Sequence, residues 1–124
     1  MKEQRPVNLD LTTIKFPITA IVSILHRISG VILFLFIPLM LWGLQQVLGS
    51  GDDFAVLQRC FAGPVSRFIL WGILSALIYH IVAGIRHLLM DFGLGEGKVS
   101  GRLGARIALG VAIVLIVLLG IALW

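Results

Sequence analysis

Three long apolar runs dominate the chain, and the few polar positions inside them recur at helical spacing. The runs cover 19–48, 65–89 and 105–124. Each meets the requirement of roughly 20 residues for a helix that crosses a bilayer. Between them, "GSGDD" and "GLGEGKVSGRLG" supply glycines and charges that break the pattern. Pro38 falls inside the first run, where it is expected to bend the helix rather than end it. The pattern predicts an all-α integral membrane bundle of three helices in up-down-up order. It forms one membrane-anchor domain over residues 1–124, with 1–18 as an N-terminal tail.

Flanking charge and tryptophan position orient the bundle in the same sense. Lys2, Arg5 and Lys15 precede the first run, and Lys98, Arg102 and Arg106 stand between the second and third. The other loop balances Asp52 and Asp53 against Arg59 and Arg67. Basic residues gather on the cytoplasmic side of membrane proteins, so the N-terminus is expected in the cytoplasm and the C-terminus in the periplasm. Trp42 is late in the first run, Trp71 early in the second and Trp124 ends the third. An up-down-up path brings all three to one outer interface, where aromatic belts form.

On the first helix, Thr19, Ser23, His26, Arg27 and Gly30 share a face. On the second, Ala76, His80, Ala83, Gly84, His87 and Asp91 do the same. Small residues let another helix or a bulky group approach the backbone. Ionisable groups in a span cost about 2.5–3.5 kcal/mol at the helix centre on insertion scales, so they face partners rather than lipid. At about 1.5 Å per residue, His80 lies roughly 13 Å inward of Trp71, near mid-depth, while Arg27 and His87 lie roughly 22–24 Å inward of their tryptophans. A neutral imidazole at mid-depth with a cation nearer the cytoplasm suits a heme set edge-on, its iron at His80 and its carboxylates at the cation.

Each residue also has a plainer reading. His80 fits an interhelical hydrogen bond, and His26 and Arg27 can snorkel to headgroups. Ser23 can bond back to its own helix. His87, Arg86 and Asp91 read as an interfacial charge cluster, with a proton path as the alternative for Asp91.

Composition narrows the class. Of 124 residues, 59% are hydrophobic and only 13% charged, against about 25% charged in soluble domains, and mean hydropathy is +1.06. The net charge of +4 flanks the apolar runs and forms no aromatic-interleaved patch, which argues against a nucleic-acid partner. Cys60 is the sole cysteine, leaving no internal disulfide, zinc knuckle or iron–sulfur cluster. The polar opening "MKEQRPVNLDLTTIKF" does not look like a cleavable signal.

"RPVNLDL" (Arg5–Leu11), "SILHRISG" (Ser23–Gly30) and "YHIVAGIRHLLMDFG" (Tyr79–Gly93) together resemble the cytochrome b membrane-anchor subunits of succinate dehydrogenase, respiratory complex II. The resemblance spans nearly the whole chain and rests on S-x-x-x-R followed by H-x-x-x-G-x-R-H on successive spans. Many members carry an "SPHL"-like segment after the initial Arg-Pro. Here Val7-Asn8-Leu9-Asp10 follows, as in an enterobacterial-like branch.

The resemblance implies a complex in the bacterial inner membrane with a flavoprotein subunit, an iron–sulfur subunit and two small anchors. The anchors hold heme b and form a ubiquinone site. Matched motif to motif, His80 corresponds to an axial heme ligand, with the other axial histidine expected from the second anchor subunit. Ser23 and Arg27 correspond to quinone-binding residues, and His26 with Arg27 to heme-propionate contacts. A fixed guanidinium stabilises negative charge arising on quinone oxygens, and a serine hydroxyl can donate to a quinone carbonyl. The competing readings are a heme-free structural anchor, the anchor of a quinol:fumarate reductase, and a small transporter component. The apolar "VAIVLIVLLGIALW" gives a transporter no polar lining.

Overall fold

Helix-forming apolar runs and their breaks produce four helices: α1 (Ile18–Leu48), α2 (Gly51–Cys60), α3 (Pro64–Asp91) and α4 (Lys98–Leu123). This computed structural model describes residue 7 and residues 9–124. Lys2 and Arg5, with Pro6 and Asn8 of the RPVNLDL stretch, lie outside the described residues. Among the described residues there is no strand.

α1, α3 and α4 are long and apolar enough to cross a membrane, at 31, 28 and 26 residues. At about 1.5 Å per residue they run roughly 39–46 Å, beyond the ~30 Å hydrocarbon core. α1 continues through Pro38 without ending. All three pack on one another, α3 lying against both α1 and α4.

Burial is inverted relative to a water-soluble bundle. Phe34 and Ile121 are 71% and 70% exposed, while Val22 is the largest fully buried side chain among the described residues. Besides Ile73 and Arg86, the buried positions are mostly small residues, among them Ala83, Ala105, Ala108, Ala112 and Gly101. Helices in lipid gain little from sequestering large apolar groups and associate instead through close backbone approach. The same logic seats Trp71, whose Nε1–H donates to Ile116 O at 3.0 Å across a site where any side chain on Gly120 would crowd the indole. Trp71 also meets Trp124 edge-on, ring centroids 6.4 Å apart, so these two tryptophans share one level as the sequence suggests.

Two boundaries differ from the sequence reading. "GSGDD" does more than break the chain, because it caps α2. Ser50 is the N-cap: Asp53 N–H donates to its Oγ at 3.3 Å, and Ser50 N–H donates back to Asp53 Oδ2 at 2.8 Å. This reciprocal pair satisfies two orphan donors of a helix start, and a side chain at Gly49 would strike the Asp53 carboxylate. α4 begins at Lys98, seven residues before the apolar run. The tight turn is made by Gly93 and Gly95, both at positive φ (81° and 74°). Gly93 N–H donates to Met90 O and Leu94 N–H to Leu89 O, each at 2.9 Å, the paired bonds of a Schellman ending. Gly101 and Gly104 then serve as helix-packing positions rather than breakers.

The cap carries a pH signature. Hydrogen bonds from the Ser50 backbone N–H and then its hydroxyl hold the Asp53 carboxyl below the usual range. A depressed folded-state pKa contributes stability that is present above the unfolded value, about pH 4, and lost as pH falls through the folded value. Hydrogen exchange, corrected for intrinsic rates, should therefore show α2 amide protection falling below about pH 4. Asp53→Asn should lower that protection at neutral pH and remove most of its dependence on acid.

Candidate functional site: the α1–α3 histidine column

The two polar stripes meet between α1 and α3. His80 and His87 are seven residues apart on α3, nearly two full turns, so they project from one side of it. The imidazole of His26, from α1, fits between them. Its centroid lies 4.1 Å from His80 with planes 9° apart, and 5.0 Å from His87 with planes 19° apart. Gly84 lies alongside, where a Cβ would come to contact distance, 3.4 Å, of His26 Nε2. One turn along, the Tyr79 hydroxyl donates to Val22 O at 2.8 Å, pinning the same pair of helices.

His80 is held by its Nδ1 edge. That atom is 3.2 Å from His26 O and 3.0 Å from Ser29 Oγ, while the Ser29 hydroxyl donates to His26 O at 2.7 Å. A carbonyl oxygen only accepts, and the serine proton is already engaged, so the hydrogen of His80 sits on Nδ1. In the neutral ring Nε2 then carries the lone pair. A ring nitrogen tied down as donor with the other nitrogen open is the usual state of a metal-ligating histidine. His87 Nδ1 donates in the same way, to Ala83 O at 2.7 Å within its own helix.

Of the residues singled out by sequence, His26 and His80 are brought together, with His87 added to the column. Ser23 is half-buried one turn before His26. Arg27 remains exposed on α1, and Asp91 is exposed as the last residue of α3. Arg86 departs from the interfacial cluster expected with His87 and Asp91. It is only 9% exposed and points into the bundle, where Nη2 donates to Gly101 O at 3.1 Å. It packs beside Gly104, and Nε is buried without a hydrogen-bond partner. Ser29, which touches His80 from three residues after His26 on the face that meets α3, was not singled out by sequence.

A cleft of about 340 Å³ between α3 and α4 is lined by Arg86, Leu89, Ser100 and Gly104 among others. Its α3 wall includes Val82 and Leu89, two and nine positions from His80 and so roughly 180–200° around the helix from it. The histidine column and this cleft therefore occupy opposite sides of α3.

Residues 1–119 match the family described as succinate dehydrogenase/fumarate reductase transmembrane subunit. The chain is 44% identical to the succinate dehydrogenase cytochrome b556 subunit of Coxiella burnetii, over the full length of both. It is 37% identical to the cytochrome b556 subunit of Paracoccus denitrificans, over 73% of this chain and 70% of that one. With the cytochrome b560 subunit of Reclinomonas americana it shares 33% identity, over 90% of this chain and 81% of the relative. Three bilayer-length helices and these relatives identify a multi-pass inner-membrane protein. The chain belongs to the succinate dehydrogenase/fumarate reductase transmembrane subunit family, as a cytochrome b membrane anchor of complex II.

Proposed function

We propose that this anchor ligates heme b through His80 Nε2, shares that heme with a second anchor subunit supplying the other axial histidine, and contributes Ser23 and Arg27 to a ubiquinone-reduction site. The observation that carries the reading is the fixed tautomer of His80, with Nδ1–H held by Ser29 Oγ and His26 O. The donor chemistry fits the group that the relatives' cytochrome names imply, since a neutral imidazole with one open nitrogen is an axial heme ligand. Bound there, the heme supplies one-electron transfer.

The rest of the work falls to the chain. His26 stacks on His80 and Arg27 follows it on α1, so the pair offers donor and cationic groups for heme propionates. The guanidinium of Arg27 suits a developing anion on a quinone oxygen. Ser23 precedes it by one turn and can reach the same small ring with a hydroxyl donor. The basic flanks argue for a cytoplasmic N-terminus, which sets this end of the bundle toward the iron–sulfur and flavoprotein subunits that deliver succinate's electrons. Asp91, exposed where α3 ends, is positioned to exchange protons with water on that side.

Two experiments on assembled complexes test this. His80→Leu should abolish the bis-histidine low-spin heme spectrum, whereas His87→Leu should leave axial ligation in place; an unchanged spectrum in His80→Leu removes that residue from the site. Arg27→Leu should slow ubiquinone reduction by about 10²–10³-fold, the scale of losing one oxyanion-stabilising donor. Ser23→Ala should act mainly on quinone affinity. Electron transfer from succinate to a dye that accepts from the soluble subunits should survive both changes. Equal losses in the quinone and dye assays would assign Arg27 and Ser23 to assembly instead.

A further inference from the structure

We propose that Ser29 is a positioning residue for the heme ligand, fixing the rotation of the His80 ring and strengthening Nε2 as a donor to iron. The proposal rests on His80 being the axial ligand. Ser29 is 5% exposed, inside the bundle. A serine in a membrane helix commonly bonds back to a carbonyl one turn earlier, and Ser29 does so, donating to His26 O at 2.7 Å. What that habit does not explain is its second bond. The oxygen of the same hydroxyl accepts from His80 Nδ1 at 3.0 Å, from a residue 51 positions away on another helix.

The two bonds act in series. A hydroxyl that is donating becomes a better acceptor, because hydrogen bonds in a chain polarise one another. The pull on the Nδ1 proton is relayed through the ring and raises the basicity of Nε2, as for outer-shell partners of metal-bound histidines. The next residue completes the socket. A Cβ on Gly30 would stand 3.2 Å from His80 Cε1, so the absent side chain leaves room for a ring held at Nδ1 by Ser29 Oγ and His26 O. The pair Ser29–Gly30 thus sets both the electronic character and the azimuth of the imidazole. A more basic axial ligand favours the ferric state, so Ser29 holds the heme potential down.

The test uses the assembled complex with parental, Ser29→Ala, Ser29→Cys, Ser29→Thr and His80→Leu forms of this subunit. Heme content, midpoint potential and the ferric low-spin electron paramagnetic resonance spectrum are the readouts. Ser29→Ala should shift the potential upward, broaden the resonance as the ring loses its fixed azimuth, and release heme about 10–100-fold more readily. Ser29→Cys, nearly isosteric but with a weak sulfur acceptor, should move the readouts the same way and decides the matter if the alanine form does not assemble. Ser29→Thr keeps the hydroxyl and should restore the parental potential and line shape. An unchanged or lowered potential in the alanine and cysteine forms, with parental line shape, overturns the role of Ser29. If His80→Leu itself retains a bis-histidine spectrum, the ligand assignment beneath the proposal fails instead.

Discussion

The insertion of one imidazole between two others organises this molecule. His26 lies between His80 and His87 against the Gly84 backbone, and can do so only if α1 and α3 approach at that level and register. Once it is seated, the carbonyl of His26 and the hydroxyl of Ser29 face the Nδ1 edge of His80. Polar side chains in a lipid-facing bundle cannot use water to complete their hydrogen bonds. The column therefore lets three costly side chains share contacts, and two of them direct their Nδ1 protons to backbone carbonyls. Helix packing and the orientation of the His80 ring are one event here.

The remainder of the bundle follows the same economy of small residues. Large apolar side chains turn outward, and glycines and alanines are placed where something must come close. Gly120 receives the Trp71 indole, Gly101 and Gly104 receive Arg86, and Gly30 receives the His80 ring. The guanidinium of Arg86 is the outlier, a buried cation satisfied in part by one backbone carbonyl. It lies roughly 100–120° around α3 from the histidines and ties the start of α4 to the last turns of α3.

Much of this was legible in the residues. Length and hydropathy marked the three spans, and spacing of three and four aligned His26 with its stripe and His80 with His87. The tryptophan positions anticipated that Trp71 and Trp124 share a level. What escaped has physical reasons. Gly and Asp in "GSGDD" signal a break whether or not a capping box follows, so α2 was invisible. The glycines before the third run read as breakers because their packing partner, Arg86, is distant in sequence. Ser29 offered only the ordinary signature of a serine satisfied by its own helix, and its partner 51 positions away emerges only once the helices are assembled. Arg86 looked interfacial because His87 and Asp91 stand near it in sequence; its acceptor, Gly101 O, is on the next helix.

The central claim is that this chain delivers a neutral histidine, locked as the Nδ1–H tautomer, to the iron of a heme shared with a companion anchor. The most direct measurement is electron nuclear double resonance on the ferric complex in which only this subunit carries ¹⁵N-labelled histidine. The account predicts a low-spin heme with one strongly coupled ¹⁵N from this chain, lost when His80 is replaced, and an exchangeable proton retained on the remote ring nitrogen. A purified complex without a b-type Soret band, or a heme whose axial nitrogens both come from unlabelled subunits, would contradict it.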